Sequence, residues 1–486
     1  MSKINHSIKS PEKLALLIFV FFHALAAYFS YGFHHPDEHF QILEFANYWV
    51  GLTPNPSALP WEFGAQIRPW FQPLIHGVVM KFAILIHLYN PFTLAFIFRL
   101  LYAAFNIWGM WMLWEEFKKR FTLNSLWFLW ISLIWFFPYI HVRTSSENLC
   151  GIFVTFAFVA FLKNKKLFWV GLLFGFSFLA RYQAALGVFG FGIYLLYRDK
   201  KITREHFALF FGFLIAVGLG VIFDRIGYGN WVFTPYRYFK VNLVDGVAAT
   251  FNPYPWYQYF IWIAQLNPLI SIPLLLGVGF YAKRRKFDAF TAFVFSFFFL
   301  HLLITNKEYR FLFPLLNLIP FMAVVGFQDL SKLLLEKRPL GVYAFINLIG
   351  FSVSTLHGAS VETLWAMHVV HRYAKPGETW LSNRDYLSQF LNGYYSLPEH
   401  HVVIFHDGKE LDRLLAQKPE TKVLVDGHLA DESTQTILAS IESHHCTLLT
   451  SARPPFIFKL RNLYPAIDHL SFKAVYQCDN PEPSKN

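Results

Sequence analysis

Residue types able to do chemistry are sparse in this chain and gather at a few places. The first is Gly32-Phe33-His34-His35-Pro36-Asp37-Glu38-His39-Phe40-Gln41, where Pro36 ends any preceding helix and two carboxylates follow. A carboxylate at a membrane surface, partly desolvated and beside a second negative charge, gains basicity and suits a general base. The same Asp37-Glu38 pair can equally cap the helix expected over residues 40–50 and favour its dipole. His34, His35 and His39 flank it without the spacing of a helical ligand pair and a third partner, so no divalent metal is expected.

Cations form the complementary set. Arg68, in Gln66-Ile67-Arg68-Pro69-Trp70 behind Trp61-Glu62, is either an interfacial anchor or a ligand for phosphate or carboxylate. Arg143, in His141-Val142-Arg143-Thr144-Ser145-Ser146-Glu147-Asn148, either meets an anion or pairs with Glu147 at helical spacing. In Asn306-Lys307-Glu308-Tyr309-Arg310-Phe311, Arg310 offers a planar fork and Lys307 a point charge. Together they suit a lipid phosphate at headgroup level, or else they snorkel to the interface. The segments Asp224–Trp231 and Asn252–Tyr257 are rich in aromatics, Asn, Gly and Pro, which suits sugar rings or an aromatic belt. No glycine-rich phosphate loop, Ser-His-Asp spacing or zinc-like cysteine set is present. A cytosolic nucleotide site is therefore unsupported, and a sugar transferred on the outer face needs a lipid-borne donor.

The elements holding these clusters are membrane spans. Of 486 residues, 55% are hydrophobic and only 15% charged, against about a quarter charged in soluble chains. Runs such as Leu14 to Tyr31, Phe207 to Phe223, Phe290 to Ile304 and Phe311 to Phe327 are nearly free of charge and approach the roughly 20 residues that cross a bilayer. The net charge of +11 sits in short clusters between such runs, the pattern of topology signals and not of a nucleic-acid groove. Lys3, Lys9 and Lys13 place the N-terminus in the cytoplasm, and the clusters at 118–120, 163–166, 198–201, 283–286 and 332–338 fall on the same side. This predicts about eleven spans. Residues 69–88 then form an outer interfacial or re-entrant helix, and 32–91, 225–257 and the C-terminal tail lie outside. The expected architecture is an all-α polytopic membrane protein, with a transmembrane domain over 1–357 and a small α/β domain over 358–486. Within the tail, Val402–Phe405, Val423–Val425, Thr447–Leu449 and Phe456–Phe458 read as strands, and 409–416 and 431–442 as helices. Cys446 and Cys478 can pair if the tail faces an oxidising compartment.

His35-Pro36-Asp37-Glu38, with Trp61-Glu62 and Ile67-Arg68, resembles the first lumenal loop of the dolichyl-phosphate-mannose-dependent α-mannosyltransferases, glycosyltransferase family 22 of the GT-C superfamily. Arg143 to Asn148 is similar to that family's Arg-Thr-x-x-Asn element, and Asn306 to Pro314 to its His-Lys-Glu-x-Arg-Phe-x-x-Pro signature. Asp224 to Trp231 and Pro255 to Phe260 resemble most closely the branch that adds the third mannose in glycosylphosphatidylinositol assembly. The resemblance covers about residues 12–330. It implies a GT-C fold, a polyprenyl- or dolichyl-phosphate mannose donor, a glycan or glycolipid acceptor in the bilayer, and inverting transfer without nucleotide. Carried over, it makes Asp37 the base and Glu38 a group orienting acceptor or base. Lys307 and Arg310 would hold the donor phosphate, with Arg68 and Arg143 as second candidates, and Trp61, Glu62, Tyr254 and Trp256 would contact acceptor or sugar. The family's His stands as Asn306, and its Gly-x-His-Pro-Trp-His reads Asn252-Pro253-Tyr254-Pro255-Trp256-Tyr257, which leaves the acceptor open.

No retrieval signal ends the chain and no glycosylation sequon falls in the outer segments, so a bacterial inner membrane and an endoplasmic reticulum membrane are both open, the site facing periplasm or lumen. A transporter or flippase of lipid-linked sugars would use similar outer features but place polar residues at mid-membrane, where these spans read as poor. An inactive scaffold subunit is the third alternative. The mechanism expects Asp37, Lys307 and Arg310 to share one wet cavity.

Overall fold

The computed structural model describes residues 11–479 apart from 54, 267, 357–358, 360, 376, 385–393, 396–400, 419 and 453–470. The chain divides into two compact units, Met1–Ala359 and Ser360–Asn486.

The first unit is helical, as apolar sequence must be where lipid offers the backbone no hydrogen bonds. Among the described residues four helices are long and apolar enough to cross a membrane: Pro11–Phe29, Pro91–Phe121, Arg204–Tyr228 and Lys337–Leu356. Tyr309–Leu315 and Ile319–Gly326 meet that test only as a pair, bent by 65°. Phe71–Leu85, Ser146–Leu162, Leu167–Ala180 and Ala289–Leu303 are shorter apolar helices. Two further apolar runs are broken as well. The run ending near Ile140 splits into Leu126–Ser132 and Phe136–His141, and the run after Tyr257 splits into Gln258–Leu266 and Pro268–Arg285. Helix Leu167–Ala180 crosses Arg204–Tyr228 so closely that a Cβ at Gly171 would lie 1.9 Å from the Leu209 carbonyl oxygen, the small-residue packing expected between membrane helices.

A polar network runs through the bundle interior. His23 Nε2 meets His141 Nδ1 at 2.9 Å, and His141 Nε2 meets Asn317 Oδ1 at 2.8 Å. Asn317 donates to Asn106 Oδ1 at 2.9 Å and Thr155 Oγ1 at 3.0 Å, and Asn106 donates to Asn148 Oδ1 at 2.9 Å. This corrects the expectation of apolar spans. His23, Asn106, Thr155 and Asn317 are each one polar side chain in an apolar run, and only folding brings them to His141 and Asn148.

The second unit carries a five-stranded sheet of order β2-β1-β3-β5-β4, with β1 Thr379–Ser382, β2 His401–Ile404, β3 Thr421–His428, β4 Thr447–Ser451 and β5 Ser471–Cys478. β1 pairs parallel with β2 and β3, while β5 pairs antiparallel with β3 and β4. Helices Gly408–Gln417 and Glu432–Ser443 bury Leu411, Leu415, Ile437 and Ile441 on it. Three of the expected strands correspond to β2, β3 and β4, whereas 456–458 lie outside the described residues. β1 and β5 carry no run that stood out in sequence. Cys446 and Cys478 form a disulfide.

Candidate active site

The first helix ends at Phe29, and a short turn, Pro36–Glu38, follows. His35 caps this turn, its Nδ1 accepting the Asp37 backbone N–H at 3.2 Å. Asp37 stays partly exposed while Glu38 is buried. One Glu38 oxygen accepts both the N–H and the hydroxyl of Thr144, the latter at 3.0 Å, and the other accepts the His34 N–H at 2.9 Å. Glu38 is therefore not free to orient an acceptor; it ties the Asp37 turn to the loop at 143–145. The helix continues through a π turn, His39–Leu43, into Glu44–Val50. The three histidines disperse: His34 meets Tyr139 at 2.8 Å, His35 lies between Asp37 and Glu308, and His39 pairs with Glu44.

Arg310 is the hub. Its guanidinium reaches Asp37 at 2.7 Å, Glu147 at 3.1 Å and Glu308 at 2.5 Å. Three carboxylates surround the guanidinium and its Nη2 braces Asp37, while Nη1 meets Glu147 as an ion pair without a hydrogen bond. Glu147 is fully buried and also pairs with Arg181 at 3.2 Å. The expected Arg143–Glu147 pair does not form. Arg143 is fully buried too, and its donors go to the carbonyls of Gly32, Ser30 and Tyr139 and to the Ser30 hydroxyl. Arg143 thus fixes the end of the first helix.

Burial alone would raise the Asp37 carboxyl, but the His35 hydrogen bond and the charges of Arg310 and Arg68 outweigh it and hold the group well below its ordinary 3.8. The sequence argument expected raised basicity from desolvation and a second carboxylate; the arginines reverse the sign. Burial and the charges of Arg143 and Arg310 depress His34 to about 4, so it is neutral near pH 7.

Arg68 lies 4.0 Å from Asp37 and 3.5 Å from Glu62, looser contacts than those of Arg310. Helix Trp61–Ala65 ends at Gln66, with φ of 53°, which turns the chain into the Arg68 segment. The outer end of helix Arg204–Tyr228 then pins that segment. Asp224 accepts the Trp70 N–H at 2.9 Å, and the Tyr228 hydroxyl donates to the Arg68 carbonyl at 2.9 Å. A Cβ on Gly227 would lie 1.8 Å from the Trp70 ring. The Asp-Arg-Ile-Gly stretch, legible only as a resemblance, is a socket for Arg68–Trp70.

Lys307 is brought near in chain but not in charge. Its ammonium donates to the Ile304 carbonyl, burial lowers its basicity, and among the described residues no ion pair joins it to Asp37. Of the three groups expected to share one cavity, Asp37 and Arg310 are in contact at 2.7 Å, and among the described residues no ion pair joins Lys307 to Asp37. Residues 252–254 pair with 305–307, which sets Tyr254 against Trp262 at 5.1 Å; Trp262 meets Tyr309 at 6.2 Å, and Tyr309 meets His34 at 5.2 Å. Glu62 is buried and accepts from Gln41 at 2.9 Å and from Arg68. Trp61 and Trp256 stay exposed, at 48% and 61%.

Sequence reasoning missed Arg181 and the site role of Glu147. Arg181 had a signal: it is a lone cation at the outer end of the run 167–180, against the positive-inside trend, like Arg143 and Arg310.

A helical membrane unit presenting carboxylates and arginines in its inter-helix loops is the architecture of GT-C glycosyltransferases. ArnT from Cupriavidus metallidurans, solved bound to undecaprenyl phosphate, superimposes over 96% of this chain and 98% of its own, with a TM-score of 0.54 and 11% identity. The family model of the Alg9-like mannosyltransferase family matches residues 14–383, and the chain belongs to that family. It is 25% identical over 350 residues to GPI mannosyltransferase 3 of Drosophila melanogaster, covering 69% of this chain and 58% of that protein. It is 24% identical over 335 residues to GPI alpha-1,2-mannosyltransferase 3 of Homo sapiens, covering 66% and 58%. The chain thus spans less than two thirds of the length of these relatives.

Proposed function

We propose that this chain is an inverting glycosyltransferase of the membrane, moving mannose or a related sugar from a polyprenyl- or dolichyl-phosphate donor to a hydroxyl of a glycan or glycolipid on the non-cytoplasmic face. The observation that carries the reading is Asp37, partly exposed in an outer loop and held 2.7 Å from Arg310 and 4.0 Å from Arg68. Family membership supports the sugar, and the lipid phosphate in ArnT supports the donor class. The disulfide Cys446–Cys478 fits a C-terminal unit outside the cytoplasm.

In this mechanism the acceptor oxygen attacks the anomeric carbon on the face opposite the phosphate. The carbon–oxygen bond to phosphate breaks, the phosphate leaves with the electron pair, and Asp37 takes the acceptor proton. A β-linked donor becomes an α-glycoside. Asp37 is a weak base while both arginines hold it, so proton transfer comes late, when bond formation has made the acceptor oxygen acidic. Guanidinium groups take the charge that grows on the phosphate, so the scheme needs no divalent cation.

The test uses full-length protein in vesicles with labelled polyprenyl-phosphate mannose and candidate glycolipid acceptors. Transfer should disappear in Asp37→Asn with donor binding retained. Undiminished turnover in that variant removes Asp37 as the base, and translocation without transfer by the wild type would make the protein a flippase.

A further inference from the structure

A cleft open to its surroundings lies between the π turn, the segment Arg68–Pro73 and the connection Arg181–Gln183. Four of its lining side chains, Arg68, Gln72, Arg181 and Gln183, carry buried polar atoms without a hydrogen-bond partner. The unmatched donors are Arg68 Nε and Arg181 Nε, and the unmatched acceptors are Gln72 Oε1 and Gln183 Oε1. Leaving such atoms unsatisfied is costly, and their gathering on one cavity indicates an occupant.

The occupant's chemistry follows from the pattern. Guanidinium N–H groups call for anionic oxygens, and amide oxygens call for hydroxyl donors. A hydroxylated anion supplies both. The protein also holds these side chains ready. Arg181 lies over the Phe311 ring at 4.8 Å and Arg68 over the Tyr238 ring at 5.8 Å. Gln183 is oriented by its amide donating to Tyr238 at 2.8 Å, and Gln72 by donating to Tyr102 at 2.6 Å and to the Thr144 carbonyl at 2.7 Å. Both amides thereby present their oxygens. Arg68 keeps only loose ion pairs, and Arg181 has one, to Glu147 at 3.2 Å. An arriving anion therefore competes with loose contacts at Arg68 and with one carboxylate at Arg181, whereas at Arg310 it would meet three carboxylates.

We propose that this cavity seats the glycosyl phosphate of the lipid-linked donor, Arg68 and Arg181 holding the phosphate and Gln72 and Gln183 reading sugar hydroxyls. This rests on the glycosyl-transfer reading above and assigns roles to Arg181, Gln72 and Gln183 that the sequence did not suggest. Because Arg68 also touches Asp37, the seat adjoins the proposed base.

The experiment measures equilibrium binding to the full chain in detergent of three probes: polyprenyl phosphate, polyprenyl-phosphate mannose and mannose 1-phosphate. Arg68→Gln and Arg181→Gln should each weaken all three by about 10- to 100-fold. Gln183→Leu should weaken the two mannose-bearing probes by about 3- to 10-fold and leave polyprenyl phosphate unchanged. That split is what a merely structural role would not produce. Should Arg181→Gln fail to fold for want of a partner to Glu147, Arg181→Lys and Arg68→Gln carry the comparison. Wild-type affinities in the arginine variants, or equal loss of all probes in Gln183→Leu, would overturn the seat while wild-type transfer leaves the glycosyl-transfer reading standing. A wild type that neither binds the lipid probes nor transfers mannose defeats both.

Discussion

Arg310 is the residue whose replacement tests the site most directly. Its fork contacts Asp37, Glu147 and Glu308 at 2.7, 3.1 and 2.5 Å. In Arg310→Lys a single ammonium cannot span three carboxylates, so at least one contact, and by geometry the one to Asp37 at the end of the fork, is lost. Hydrogen bonds to charged groups are worth about 1.5–3 kcal/mol each. Glu147 keeps Arg181 and Glu308 keeps His35, so the loss of stability should be near the value of one such contact. The effect on rate is larger, because Asp37 loses the group that positions it, and a shift of about 1 Å in a reacting group can cost ~100-fold. We expect kcat to fall by that order with KM for donor changed less.

The pH profile supplies an independent readout. Asp37 is depressed well below 3.8 because His35, Arg310 and Arg68 together outweigh the opposing effect of burial. An acid depressed on folding contributes stability that is fully present above its unfolded value and is lost only as pH falls through the folded one. Wild-type activity should therefore show no acid limb from Asp37 at any pH above its ordinary value. Removing the Arg310 fork leaves burial less opposed, so the limb moves to higher pH in Arg310→Lys. The assay is kcat and kcat/KM for mannose transfer against pH, with a melting curve as control. A rate within about threefold of wild type, roughly 0.65 kcal/mol, together with an unshifted acid limb would refute the idea that Arg310 braces the base.

Glu38→Ala leaves the buried N–H groups of Thr144 and His34 without their acceptor; it should lower stability by about 2–5 kcal/mol, seen as a lower melting temperature, and Glu38→Gln should recover part of it. Gly227→Ala puts a methyl group 1.8 Å from the Trp70 ring; overpacking of about 1–3 kcal/mol should displace the Arg68 segment and raise donor KM more than it lowers kcat. Replacing Cys446 and Cys478 by Ser opens a loop with a sequence separation of 32; the C-terminal unit should lose about 4 kcal/mol, measured as faster proteolysis of residues 360–486.

What was legible in the sequence and what was not divides along one physical line. Asp37, Arg68 and Arg310 were readable because each is a charge at an inter-span loop, where water and membrane rules act on local sequence. The pairings were not readable, since Asp37–Arg310 and Glu147–Arg181 join elements far apart in the chain. Arg143 and Arg310 carried the same local signal, yet one ends among backbone carbonyls and the other among carboxylates. β1 and β5 were missed because Thr379–Ser382 is short, and Ser471–Cys478 alternates Lys473 and Gln477 with apolar residues; their pairing with β3 decides them.

The polar network in the bundle bears on the transporter alternative, for which mid-membrane polar residues were the discriminating feature. Such residues are present, so their absence no longer argues against transport. Their state does. His23, Asn106, His141, Asn148 and Asn317 are fully buried and bonded to one another, and none of them carries an unmatched side-chain atom. A substrate path needs polar groups with capacity left for a passenger, and the five residues of this network offer none. The network also has a destination: Asn148 donates to the carbonyls of His141 at 3.0 Å and Arg143 at 2.7 Å, just before Thr144, which holds Glu38 and thus the Asp37 turn. Four helices and the bend after Leu315 are locked together next to the turn that carries the proposed base, and locking serves an enzyme that must keep a carboxylate in place better than a carrier that must rock.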